Sequence, residues 1–271
     1  MVDEVAPLLV LASGQRCGST LIQRLLSSHP LVRIWGEHVG QLLPVLTATA
    51  RLRLWTDMNG LTGRRELARS GHHGFLANLT PERDTIDDAC RAFIETLFAT
   101  PSAEAGRPIW GFKEIRYGLP EVLLLRQLFP RMRVIHVIRD PRDVLRSLDE
   151  WEQRPGWTRR NTEEALDYWL TVARSFIGSD QDPHLGDFIL RAPYEALVVN
   201  PGPWTAAIAE HCRLDADLLD QTVFDTRVHA AGDGGRGERQ LREWSALPSS
   251  LRALIDGDDY RSVASAYGYD L

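Results

Sequence analysis

Hydrophobic positions along the chain fall into two alternating patterns. Leu8 to Ala12 is an unbroken apolar run, which predicts a strand buried on both faces. Leu21, Ile22, Leu25 and Leu26 then share one helical face, and Pro30 disfavours helix at His29, so the helix should end near Ser28. "LVRIWGE" (31–37) reads as a short extended piece. "HVGQLLPVLTATARLRLW" reads as helical with a break at Pro44. Residues 56–86 carry weak periodicity and predict loops and short helices, while "IDDACRAFIETLFAT" predicts an amphipathic helix. Further on, "PIWGFKEI" (108–115) is a strand, "LPEVLLLRQLFP" a helix stopping at Pro130, and "MRVIHVIRD" (132–140) the clearest buried strand. "PRDVLRSLDEW" opens a helix with proline in its first turn, a favoured place for it. "EEALDYWLTVARSFI" is helical, "DFILRAPYEAL" gives a strand and its exit, and "GDGGRGERQ" (232–240) is a basic glycine-rich loop before a helical tail.

Strands alternating with helices imply an α/β fold: a central, mostly parallel sheet flanked by helices in three layers. Ligands of such sheets bind at the carboxyl ends of the strands. The turn after Ala12, Lys113 and the turn after Ile138 all fall at such ends. At 271 residues the chain is expected to form one domain spanning 1–271.

Composition narrows the chemistry. The net charge is −6, which disfavours a general nucleic-acid binder, because phosphate-backbone affinity needs a basic surface. Local anion sites remain open. Of the 31 basic residues nearly all are arginine, a bias that suits fixed-geometry recognition of phosphate. Cys17, Cys90 and Cys212 are odd in number and far apart, against a disulfide framework or a zinc cluster, so a reducing cytoplasm is the expected compartment. The N-terminal apolar run is too short for a signal peptide's core, and no stretch approaches a membrane span.

The turn "SGQRCGST" leads from a strand into a helix. Such a turn offers unpaired N–H groups and the positive end of a helix dipole, both of which favour an anion. Gly14 and Gly18 let the backbone curl, Ser19 and Thr20 add hydroxyls, and Arg16 adds a charged fork. The triphosphate-binding pattern G-x-x-x-x-G-K-[ST] is not met: its lysine is absent and the spacing is one residue short. Alone, the turn reads slightly better as a plain strand–turn–helix. A second candidate stands in "RDPRDVLRSL", where Arg139 ends a strand and Ser147 follows eight residues later; a charged, solvated helix start is the alternative, and is preferred for Arg142 and Arg146.

With these motifs in order, the chain resembles the sulfotransferases that use 3′-phosphoadenosine 5′-phosphosulfate (PAPS). "GQRCGSTL" is similar to their 5′-phosphosulfate loop, "VIHVIRDPRDVLRSL" to their 3′-phosphate motif with its Arg–Ser separation, and "LRAPYEALVVNP" to their later Tyr-Glu segment. "SSHPLVRIWGE" resembles a subgroup that includes protein-tyrosine and bacterial sulfotransferases. The resemblance covers about residues 8–200. It departs at position 15, Gln instead of Pro, and at Cys17, which stands for Ser or Thr. It implies a P-loop-like fold and an enzyme using PAPS and releasing 3′-phosphoadenosine 5′-phosphate (PAP). It implies nucleotide contacts from Arg16, Cys17, Gly18, Ser19, Thr20, Arg139, Ser147 and Tyr194. The catalytic set implied is Glu37 as base, with Lys113 and Arg16 on the leaving phosphate.

Each role has a competitor. Glu37 could be an exposed loop carboxylate or helix cap, and His38 is the next candidate for the base. Lys113, the only lysine, could be a strand-edge residue paired with Glu114. Cys17 is read as a small residue in a tight turn, with a helix-start thiol of lowered pKa as the alternative. His72–His73 lack a third metal ligand at suitable spacing, and no metal is expected. The tryptophans at 110, 151, 157 and 169 are read as core. The acceptor is expected to be a small metabolite bearing a hydroxyl, less favourably an amine. The rival functions are a kinase-like phosphotransferase using ATP and magnesium, and a non-catalytic PAPS-binding module.

Overall fold

The computed structural model describes residues 6–152, 156, 158–179, 181–226 and 243–271. The glycine-rich loop 232–240 lies outside the described residues. Five strands form one sheet: β1 (Leu8–Ala12), β2 (Val32–Trp35), β3 (Ile109–Glu114), β4 (Arg133–Ile138) and β5 (Ile189–Pro193). Their order is β2-β3-β1-β4-β5, and every pairing is parallel. β1 is central, with Leu8 opposite both Gly111 and Arg133. Gly111 is required there, since a Cβ would lie 1.8 Å from the Leu8 carbonyl oxygen.

Burial explains the continuous apolar runs. Leu8, Val10 and Ala12 point into one core with α1 (Ser19–Ser28), while Leu9 and Leu11 point into the other with Phe112 and Val134. Both faces are therefore apolar, as a two-sided sheet requires. The second core is capped by α2 (Leu43–Trp55), α4 (Arg83–Glu104) and α5 (Leu119–Leu128), with α3 (Leu61–Ser70) extending from α2. The first core also takes side chains from α6 (Pro141–Glu152), α7 (Arg159–Ser175), α10 (Pro201–Cys212), α11 (Ser249–Arg252) and α12 (Asp258–Ala266). The short α8 (Pro183–Gly186) and α9 (Tyr194–Val199) bracket β5. Two expectations change in detail. Pro44 opens α2 instead of breaking a helix, because a proline in the first turn sacrifices no hydrogen bond. Residues 56–70 continue helically through one π turn, Thr56–Gly60, into α3.

β1 neighbours both β3, which is reached after a crossover to β2, and β4, which lies on its other side. The connections thus diverge at the carboxyl ends of β1 and β4, where α/β sheets open a crevice. A buried polar contact supports that edge from below. His136, fully enclosed in β4, stacks on Phe176 at 4.1 Å and shares a 2.8 Å hydrogen bond with Ser13 Oγ, while Ser13 N donates to Val137 O. Burial, with Arg191 adding to it, pushes the His136 pKa down to about 3. The unfolded chain binds that proton near pH 6.5 and the folded chain does not, so His136 makes stability rise with pH between about 3 and 6.5. Lowering the pH from 7 to 5 should remove roughly 2 kcal/mol through this group. Denaturant unfolding of wild type and His136→Gln at both pH values checks this: the variant should lose less on acidification.

Candidate active site

The turn after β1 is a backbone cradle. Gly14, Arg16 and Gly18 all have positive φ (75°, 66° and 97°), so alternate residues are left-handed and successive amides converge. Gly14 N is anchored to Ile115 O at 3.2 Å, and a Cβ there would lie 2.8 Å from Trp169 N. Arg16 accepts a left-handed backbone that its side chain type seldom adopts. The first turn of α1 contains no acidic residue to compete for its dipole. Cys17 points the other way: its side chain is wholly buried and donates to Ser13 O at 2.9 Å. Burial pushes that thiol up to about 12, so it is no activated thiolate, and only its backbone can serve a ligand.

The second candidate anion site stands against the first. Arg139, just past β4, has its carbonyl held by Trp169 Nε1 at 3.0 Å. Its guanidinium donates to Arg16 O at 3.0 Å and stacks over the Tyr194 ring at 4.4 Å. Arg139 Nε is buried and has no hydrogen-bond partner among the described residues. Ser147, buried on α6, accepts from Arg16 Nε at 2.9 Å. Arg142 pairs with Asp140 and Arg146 with Asp143, each at 2.7 Å, as expected of local charge pairs. Tyr194 also packs against Gly18, where a Cβ would meet its ring at 2.2 Å.

The third group gathers at the ends of β2 and β3. Lys113, the chain's sole lysine, is buried and donates to Glu37 Oε1. Its partner is thus Glu37 across the sheet, not its chain neighbour Glu114. Arg116 donates to Glu37 Oε2 at 3.1 Å and to Glu114 Oε1 at 3.0 Å. Glu114 is fully buried and accepts also from Ile115 N at 2.8 Å and, through Oε2, from Gly40 N at 2.7 Å. Next to Glu37, His38 turns its ring among Phe98, Phe112 and Tyr117, and its burial holds its pKa below the usual histidine value. Neither Glu114 nor Arg116 stood out in the sequence. A carboxylate directly after a strand-end lysine looks like that lysine's partner, and only the strand order reveals otherwise.

All three groups open on one cavity of about 1030 Å³. Its walls include Arg16, Gly18, Ser19, Thr20, Glu37, Lys113, Arg139, Ser147 and Tyr194; Cys17 and His38 are not among them. Trp151 is, with Arg16 stacked over its ring at 5.0 Å, whereas Trp110 and Trp169 are core residues as expected. Trp157 lies outside the described residues. His72 and His73 occupy a short turn away from the cavity walls. Among the described residues no cluster of His, Cys, Asp or Glu could hold a metal ion, and no helix is long and apolar enough to cross a membrane.

A sequence profile described as "Sulfotransferase family" matches residues 7–217. The chain belongs to the sulfotransferase family. Among its relatives is a Caenorhabditis briggsae protein named as a protein-tyrosine sulfotransferase, 29% identical over 290 residues that take in all of this chain and 91% of that one. Two solved structures share the fold. The sulfotransferase domain of the Synechococcus PCC 7002 olefin synthase aligns with a TM-score of 0.56 at 20% identity, covering 99% of this chain and 98% of that one. The sulfotransferase domain of the curacin biosynthetic pathway aligns at 0.52 and 16% identity, covering 99% and 100%. This sulfotransferase is accordingly an enzyme, and the three-layer parallel architecture expected of it is the one it has.

Proposed function

We propose that this sulfotransferase moves the sulfuryl group of PAPS to an acceptor hydroxyl by in-line displacement, with Glu37 as the base. The observation that carries the reading is the single cavity in which two adjacent anion cradles meet a Lys–Glu pair. The donor fits on this chain's own features. A doubly phosphorylated nucleotide needs two anion sites, and the unpartnered, buried Arg139 Nε and the converging loop amides supply them. PAPS supplies the sulfuryl group, with its 5′-phosphate as the leaving group.

The residues divide the work. Amides of the Arg16–Thr20 loop, with Ser19 and Thr20, hold the phosphosulfate; Arg139 and Ser147 hold the 3′-phosphate; Tyr194 supports Arg139 and borders the nucleotide. Glu37 Oε1 takes the acceptor proton as the acceptor oxygen bonds to sulfur. The sulfur–oxygen bond to the 5′-phosphate breaks, and Lys113 and Arg16 stabilise the charge left on that phosphate. Catalysis of this kind is mostly positioning and charge stabilisation, close to phosphoryl transfer. Glu37 is preferred to His38 because its carboxylate borders the cavity and the His38 ring does not. The cavity, about 1030 Å³, is at the upper end of the usual range for small-ligand sites, which suits donor and acceptor together. A small hydroxylated metabolite remains the proposed acceptor. A cytoplasmic setting is proposed on the three buried free cysteines.

Titration calorimetry with PAPS and PAP, in EDTA, tests the donor assignment. Micromolar or tighter binding without metal supports it. Binding of ATP–magnesium with no response to either sulfonucleotide would replace it with phosphotransfer. Arg139→Ala should weaken PAP binding by ~1.5–3 kcal/mol, roughly ten- to 150-fold, because a charge-assisted contact is lost.

A further inference from the structure

We infer that Glu114 is a positioning residue, which fixes the catalytic base through two separate supports. This rests on the proposed role of Glu37. The Glu114 carboxylate is fully buried, and each of its oxygens is committed. Oε1 accepts from Ile115 N and from Arg116; Oε2 accepts from Gly40 N and lies 3.3 Å from His38 Nδ1. A buried carboxylate is tolerated only when so satisfied.

The first support is the chain itself. Glu37 and His38 lead into a turn in which Val39 and Gly40 are both left-handed, with φ of 56° and 71°. A β-branched residue resists that region, so Val39 is strained, and strain persists only where the surroundings over-determine it. The bond from Gly40 N to Glu114 is such a constraint, placed three residues after the base. The second support is a strut. Arg116 bridges Glu114 Oε1 and Glu37 Oε2, while Lys113 takes Oε1 of Glu37. Arg116 therefore secures one oxygen of the base and leaves the other to the cavity side, where Lys113 stands. Glu114 does not itself line the cavity, and it acts on the base through these two links.

The test uses hydrogen exchange at the Gly40 amide, PAP affinity by calorimetry, and turnover of radiolabelled PAPS to free sulfate with water as acceptor. Wild type, Glu114→Gln, Arg116→Met and Glu37→Gln are compared. Glu114→Gln should speed Gly40 exchange at least tenfold and slow turnover at least tenfold, with PAP affinity within about threefold of wild type. Arg116→Met, a partly exposed change that should fold, is expected to slow turnover similarly while Gly40 stays protected. That separation identifies the strut even where Glu114→Gln fails to fold. Unchanged Gly40 exchange in a folded Glu114→Gln, or loss of PAP affinity in parallel with turnover, overturns the inference. If Glu37→Gln turns over like wild type, the base assignment fails. If Glu37→Gln is inactive and Arg116→Met is normal, only the strut is rejected.

Discussion

Replacing Glu37 with glutamine is expected to lower sulfuryl transfer about 10²–10⁴-fold, the usual worth of a positioned general base. The amide keeps the shape of the side chain, and its oxygen can still accept from Lys113 or Arg116. It has no basic oxygen with which to take a proton. The proposed nucleotide grip lies elsewhere, in the loop after β1 and in Arg139 and Ser147, so PAP affinity should hardly move. The signature is thus a fall in kcat with donor binding intact, the pattern of an interaction made only in the transition state. Steady-state turnover and PAP calorimetry on the same preparation read both halves. Retention of more than about a tenth of wild-type turnover would exclude Glu37 as the base. Lys113→Ala makes the complementary loss, on the leaving group, and also strips Glu37 of a partner that now neutralises it. The two substitutions should therefore not add: residues that act as one unit fail together.

The architecture was largely readable from the chain. β1 and β4 are continuous apolar runs because both of their faces are covered, and that pattern is legible without any knowledge of neighbours. The turn after β1 was legible for the same local reason, a strand, two glycines and a helix start. What escaped the sequence depends on strand order. Glu37 follows β2 and Lys113 lies next to the end of β3; they meet because β2 pairs with β3 in the register Val32 to Ile109. Nothing in the local spelling "FKEI" distinguishes that pairing from one between Lys113 and Glu114. The contacts of Arg116 and Glu114 with Glu37 and its turn were invisible for that reason, although they complete the surroundings of the proposed base. Cys17 illustrates the opposite limit. Its place in the loop was right, but side-chain direction inside a turn of alternating left-handed residues is set by three-dimensional closure, which turned the thiol into the core. Trp151 stands at the end of α6, whereas Trp110 lies in β3 and Trp169 within α7, and that put it on the cavity wall.

Gly18→Ala should damage this enzyme more than its single methyl suggests. Gly18 has φ of 97°, which an L side chain rarely adopts, at a cost of roughly 1–2 kcal/mol. The new Cβ would also stand 2.2 Å from Tyr194 Cδ2 and 2.6 Å from Cε2, so something must move. Overpacking of this kind adds about 1–3 kcal/mol. Tyr194 is the mobile partner, but the Arg139 guanidinium rests on its ring. Displacing the ring therefore withdraws support from the proposed 3′-phosphate site, while distorting the loop disturbs the 5′ site. Either relaxation weakens PAP binding, and the expected loss is at least that of Arg139→Ala, together with a stability loss of about 2–5 kcal/mol. Removing the obstruction separates the causes. In Gly18→Ala/Tyr194→Ala the clash is gone, so unfolding measurements should recover the overpacking share and leave only the backbone strain. A coupling of about 0.5–3 kcal/mol between the two positions is the expected sign of direct contact. PAP affinity should not recover with it, because the double variant still lacks the ring beneath Arg139. If stability and affinity return together, Tyr194 is only an obstacle to larger residues at position 18, and the loop alone carries the nucleotide.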